Sequence, residues 1–226
     1  MTDFDVYFLK KGGMCMRIVA VSCDSVAETA RFEACLAAVS ASARAHVLSA
    51  QNGDDRCRRL CAVAALDACL QTVGLRESAV SIARGEHGKP FVPENSTVQF
   101  SIAHSGSWAV CALDSRAVGV DLEQVRDVRY AALAKRHFTP EETAWLAAQE
   151  DGLLAFFRLW TAKESVLKAR GVGLAGGLTV PVLDGGRLSP RFKEYALPGY
   201  VLTAYGEGAF PEALTVISSC DSVLLR

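Results

Sequence analysis

Val98-Gln99-Phe100-Ser101-Ile102-Ala103-His104, Trp108-Ala109-Val110-Cys111-Ala112-Leu113-Asp114 and Ala117-Val118-Gly119-Val120-Asp121-Leu122-Glu123 decide the fold. Each stretch reads as a strand, and the links Ser105-Gly106-Ser107 and Ser115-Arg116 are short. The pattern predicts an antiparallel meander. Upstream, Arg17–Cys23 alternates apolar and polar as a strand does, while Ser25–Val39 and Asp54–Thr72 carry helical spacing, the second ending at Gly74. Ala79–Arg84 reads as a further strand before the turn Glu86-His87-Gly88-Lys89-Pro90.

Downstream, Thr139-Pro140-Glu141-Glu142 opens a helix with a capping Thr, Pro in the first turn and Glu at the third position. A long helix over Gly152–Arg170 stops at Gly171, and strands are expected at Leu178–Leu183, Tyr200–Tyr205 and Leu214–Ser218. The expectation is an α+β fold of two similar halves, 17–118 and 119–226, each a small antiparallel sheet packed with helices. Residues 1–16 are expected to form a loose extension.

The chain has 226 residues, 50% of them hydrophobic, with 24 basic and 25 acidic side chains. A net charge of -1 gives no general attraction to nucleic acid or to a membrane, so any anionic ligand must meet a local basic cluster. The 8 cysteines form no Cys-x-x-Cys pair and read as small core residues of a reduced, cytoplasmic protein. The apolar stretch before Met14 is too short to span a bilayer.

Asp121 and Glu123 stand two apart on one strand and leave the same face, with Leu122 turned to the core. Two such carboxylates repel unless a cation lies between them, and hard oxygen donors suit magnesium. Glu164 and Lys168, four apart on the long helix, share a polar edge beside the apolar flank of Phe156, Leu159, Trp160, Val166 and Leu167. The plain alternatives are a solvated strand edge and a surface ion pair. Gly171-Val172-Gly173 ends the helix abruptly, as where backbone passes close to something. Lys89-Pro90 sets a cation on a stiff turn, and His104 is either a bonded turn residue or an anion ligand. Arg58 and Arg59 are candidates for bidentate phosphate binding.

Taken in order, Gly88-Lys89-Pro90, Phe100-Ser101-Ile102-Ala103-His104-Ser105-Gly106, Gly119-Val120-Asp121-Leu122-Glu123 and Trp160-Thr161-Ala162-Lys163-Glu164 with Lys168 and Gly171-Val172-Gly173-Leu174 resemble the surfactin-type 4'-phosphopantetheinyl transferase family. The resemblance runs from about Arg17 to Leu183. It implies two α+β halves related by a pseudo-twofold axis, with coenzyme A in the cleft between them. It also implies Mg²⁺-dependent transfer of phosphopantetheine from coenzyme A to a serine of an acyl or peptidyl carrier protein, releasing 3',5'-ADP, by a monomer.

By that resemblance Asp121, Glu123 and Glu164 hold the metal and Lys168 steadies phosphate charge; Glu164 is the candidate base, directly or through a metal-bound water, with Glu123 in reserve. Lys89, Pro90, Ala103, His104, Ser105 and the early residues Arg44, His46, Arg58 and Arg59 contact coenzyme A. Ser101 and Ala103 stand where the family usually has Asn and Ser, leaving Ser105 as the replacement hydroxyl. Two other readings use the same residues. One is a non-catalytic module that binds coenzyme A or a carrier protein. The other is a magnesium-dependent nucleotide hydrolase, weakened because no Gly-x-x-x-x-Gly-Lys-Ser/Thr loop is present.

Overall fold

The computed structural model describes residues 15–24, 29–173 and 177–226. Residues 1–14 of the expected extension, the expected helix start at 25–28 and Leu174 of the glycine motif lie outside them. The chain opens with β1 (Arg17–Ser22), α1 (Thr29–Ala38), α2 (Ala41–Leu48) and α3 (Gly53–Gln71). A short hairpin of β2 (Ala83–Arg84) and β3 (Pro90–Phe91) precedes β4 (Gln99–Ser105), β5 (Trp108–Asp114) and β6 (Val118–Gln124). There follow α4 (Tyr130–His137), α5 (Pro140–Ala147) and α6 (Gly152–Arg170). The remainder is β7 (Leu183–Asp184), β8 (Arg187–Leu188), β9 (Phe192–Leu197), β10 (Tyr200–Gly206), β11 (Thr215–Ile217) and α7 (Asp221–Leu224).

This is an α+β fold with two main sheets, ordered β11-β1-β5-β4 and β6-β10-β9. Alternation along the strands builds its layers. Val19, Val21, Cys111 and Leu113 of the first sheet join Leu60, Ala64 and Leu70 of α3 in one core. The opposite faces, Ile18, Ala20, Val110 and Ala112, meet Val120, Leu122, Leu202 and Ala204 of the second sheet. A third core joins α4, α5 and α6 to Val182, Leu183 and Val201. Met16 is buried between the sheets, immediately before β1. Among the described residues no helix is long and apolar enough to cross a membrane.

The expected meander stops after two strands. β4 and β5 pair antiparallel, but β6 leaves the sheet and pairs with β10. Asp114 turns the chain out by accepting from Arg116 N at 3.3 Å and Ser115 Oγ at 3.3 Å. β6 then runs beside β4 in the same direction, joined by side chains. Ser101 Oγ accepts from Val120 N and Ser105 Oγ from Gln124 N, both at 3.1 Å. Likewise Leu214–Ser218 does not stay with the later strands. Its core, β11, pairs parallel with β1.

The strand expected at Ala79–Arg84 shortens to β2, since Glu77 is pulled into a 3-10 turn by bonds to Ser40 and Asp67. The Ser25–Val39 helix is α1, ending at Ala38. A further helix, α2, follows because Ser40 caps it by accepting from Ala43 N. Sequence reading also passed over α4 and β9.

Thr139 and Glu142 form the reciprocal cap expected of α5, bonding Glu142 N and Thr139 N respectively. Glu142 does more than cap. Its carboxylate is 2.6 Å from the Lys163 ammonium, and the two side chains are 1% and 0% exposed. Lys163 also donates to Val180 O at 2.7 Å, and Val182 N donates to Glu142 at 3.0 Å. Of the expected strand at Leu178–Leu183, Val180 O and Val182 N are thus spent on this ion pair, Pro181 offers no donor, and only its end pairs, Leu183 of β7 with Leu188 of β8. Replacing Lys163 by Met should leave Glu142 charged in the core and cost about 3–5 kcal/mol of stability, read as a lowered urea midpoint. A midpoint within error of the parent would contradict the pair's structural role.

Candidate functional site

One missing side chain sets the site. A Cβ at Gly119 on β6 would lie 1.8 Å from the Ser165 carbonyl oxygen and 2.8 Å from Ala169 N, so α6 rests directly on the strand's backbone. A turn earlier, the Thr161 hydroxyl meets Thr203 of β10 at 2.8 Å. With α6 pressed this close, its half-buried pair Glu164 and Lys168 faces the side of β6 that carries Asp121 and Glu123.

Lys168 Nζ lies 2.5 Å from Asp121 Oδ1, and the Asp121 side chain is 7% exposed. The other oxygen, Oδ2, is buried without a hydrogen-bond partner. Ser105 Oγ donates to Glu123 at 3.1 Å. Burial, then the negative charge of Asp121, raises the Glu123 carboxyl above its ordinary range. The same causes push Glu164 up to about 7, with Lys168 opposing and Glu123 adding. Three acids therefore share one electrostatic environment with one ammonium.

Among the described residues no three His, Cys, Asp or Glu side chains are grouped tightly enough to form a ready metal centre. Lys168 supplies the positive charge at Asp121 Oδ1. The unpartnered Asp121 Oδ2, beside two carboxyl groups whose pKa values are raised by burial and then by the Asp121 charge, nonetheless fits a hard cation.

A cleft of about 480 Å³ opens beside this cluster, between α2, α3, the β2–β3 hairpin, β4 and the end of α6. His104 and Lys168 stand at one part of its wall and His46, Arg59 and Arg84 at another. Arg59 donates to His46 O and Ser49 Oγ at 2.7 Å, and Arg84 lies 3.3 Å from His46 Nε2. Burial and then the Arg84 charge lower the His46 pKa. Desolvation in the cleft, then Lys168, lowers that of His104, a residue still exposed to solvent. Such a surface suits an anion of several charges.

Lys89 and Pro90 also line the cleft, but the Lys89 ammonium donates to Ala169 O at 2.7 Å. It ties the hairpin to the end of α6, and burial lowers its pKa. Gly171 takes the left-handed conformation at φ 69°, and a Cβ added there would lie 3.2 Å from the Lys89 side chain, which accounts for the abrupt helix end.

Arg44 and Arg58 are outside the cleft lining. Arg44 caps α1 through Leu36 O and Ala37 O, and Arg58 pairs with Asp55 at 2.5 Å. Ala103 is buried between the sheets, and Ser105 bonds Glu123 and Gln124. Arg84 was passed over in the sequence. Its only signal was its place just before a turn already bearing His87 and Lys89.

The profile of the 4'-phosphopantetheinyl transferase superfamily matches residues 117–198, a stretch holding Asp121, Glu123, Glu164 and Lys168. The chain is 31% identical over 219 residues to a Bacillus subtilis 4'-phosphopantetheinyl transferase, covering 93% of this chain and 97% of that one. It is 30% identical over 160 residues to the 4'-phosphopantetheinyl transferase Sfp of Bacillus subtilis strain 168, covering 64% and 71%. A putative 4'-phosphopantetheinyl transferase of Haemophilus influenzae is 37% identical over 125 residues, 53% of this chain and 52% of its own length.

Gly119→Ala should force α6 off β6 and lower stability by about 1–3 kcal/mol. Gly53→Ala, where an added Cβ meets nothing within 4 Å, is the control and should change stability little. Equal melting temperatures for the two variants would show that the close approach is not needed.

Proposed function

The chain belongs to the 4'-phosphopantetheinyl transferase superfamily, in its surfactin-type family, and on that premise we propose that it moves 4'-phosphopantetheine from coenzyme A to a serine of an acyl or peptidyl carrier protein, releasing 3',5'-ADP. The observation that carries this reading is the Lys168–Asp121 pair beside a basic cleft, with Glu164 raised to about 7 next to it.

In this reading the nucleotide end of coenzyme A lies along the cleft against His46, Arg59 and Arg84. Its pyrophosphate reaches Lys168 and His104. The carrier serine oxygen attacks the phosphorus joined to pantetheine, and the bond from that phosphorus to the bridging oxygen breaks. The electron pair leaves with the adenosine bisphosphate. Glu164 takes the serine proton, being basic above its raised pKa and still close to neutral. Lys168 steadies charge on the phosphate oxygens, and Ser105 holds Glu123 in place. Asp121, Glu123 and Glu164 are the residues that would hold Mg²⁺, which when bound supplies charge neutralisation at the pyrophosphate.

The halves 17–118 and 119–226, related by a pseudo-twofold axis, complete the proposal. Each contributes a 19-residue helix, α3 or α6, and residues of both line the same cleft, which supports a monomer whose cleft needs no second copy.

Mass spectrometry of an apo carrier protein incubated with this protein, coenzyme A and magnesium should show the phosphopantetheine mass added. Asp121→Ala and Glu164→Gln should lower that rate by at least about a hundredfold. Glu164→Gln should keep most coenzyme A affinity. Absence of transfer by the parent protein, or near-parent rates in both variants, would overturn the reading.

The raised Glu164 carboxyl gives a second prediction. Its folded pKa lies above the unfolded one, so the folded state binds the extra proton between about pH 4.5 and pH 7. The associated stability is present at low pH and lost as pH rises through 7. In metal-free protein, Glu164→Gln should therefore raise the melting temperature at pH 8 more than at pH 5. Millimolar Mg²⁺ should likewise stabilise the parent at pH 8 and not at pH 5. A magnesium effect independent of pH would contradict binding at these carboxylates.

A further inference from the structure

Away from the cleft, Cys23, Cys35, Cys61 and Cys220 converge where α1, α3, the end of β1 and the start of α7 meet, with half-buried Cys57 beside Cys23 and Cys220. The sulfurs of Cys35 and Cys220 are 3.6 Å apart, and both residues are buried. Cys61 on α3 makes sulfur contacts with Cys220 and Cys23 and lies 3.6 Å from Ser22 O. All four are free thiols, and the transfer reaction uses none of them. A small apolar side chain would fill each position as well, so contact among four thiols invites a chemical use. Among the described residues they do not group as a metal centre.

We propose that Cys35 and Cys220 are a reversible thiol–disulfide modification site, closed by glutathione disulfide or a peroxide, that ties α7 to α1. Rotation of the two side chains must close the sulfurs from 3.6 Å to the ~2.05 Å of a bond. The neighbouring Cys61 and Cys35 thiols hold Cys220 below its ordinary pKa, while burial and then the Cys220 charge raise Cys35. Cys220, at the start of the short α7, is the thiol that opening of that helix uncovers, and it attacks first.

Its thiolate attacks one sulfur of glutathione disulfide and expels a glutathione thiolate, leaving a mixed disulfide. That thiolate takes the Cys35 proton. Cys35 then attacks the Cys220 sulfur and expels the second glutathione. Two protein thiols and one glutathione disulfide give one protein disulfide and two glutathiones. With hydrogen peroxide the intermediate is a sulfenic acid, and two waters are formed in all. Access comes by local opening of α7, a helix of only 4 residues.

The test equilibrates the protein with glutathione disulfide, blocks remaining thiols in acid, and maps peptides by mass spectrometry without reduction. A linked Cys35–Cys220 peptide that dithiothreitol abolishes is expected, with a melting temperature raised by roughly 5 °C or more. Exposed Cys15 serves as the internal control, gaining glutathione under the same conditions. Recovery of Cys35 and Cys220 as free thiols while Cys15 is modified would overturn the proposal, as would linkage of Cys220 to Cys61. Cys35→Ala should lose the oxidant-dependent thermal shift. A shift that persists in that variant would also overturn it, and the wild-type peptide map decides if the variant fails to fold.

Discussion

Everything chemical in this molecule depends on one helix lying against one strand with no side chain between them. An ordinary helix–sheet contact keeps its backbones apart by the thickness of two side-chain layers. At Gly119 that spacing collapses, and the Ser165 carbonyl occupies the volume a methyl group would need. The side chains of Glu164 and Lys168 can then meet Asp121 and Glu123 across the interface. Desolvation follows from the same contact, and with it the raised protonation of Glu164.

The local chemistry of this site was legible because it obeys simple periods. Spacing of two on a strand and four on a helix put Asp121 with Glu123 and Glu164 with Lys168. The glycine stop at Gly171 and the cap at Thr139 were equally plain. Which strand would meet which was not legible. The short link after Asp114 looks like a hairpin turn, yet its residues are held by the Asp114 carboxylate, and the strand after it finds β10 some eighty residues later. Arg44 and Arg58 illustrate another limit. An arginine's partners are decided by tertiary neighbours, here the end of α1 and Asp55, and nothing in the local sequence marks them.

Two lysines five residues apart in the same motif show how burial divides labour. Lys163 is sealed against Glu142 and serves only to hold the turn at Val180–Val182 to α5. Lys168 is 31% exposed, paired with one oxygen of a carboxylate whose other oxygen is free. Sequence spacing singles out Lys168 beside Glu164 and gives no sign of the role of Lys163. Solvent access leaves one a rivet and the other open to the cleft.

The seam between the two sheets has a consequence of its own. Where peptide groups would normally cross-link adjacent strands, the hydroxyls of Ser101 and Ser105 stand in as two rungs. Ser105 is also the partner of Glu123. Any slip of one half along the other must therefore drag that carboxylate with it. The joint couples the position of β4 along β6 to the orientation of that acid.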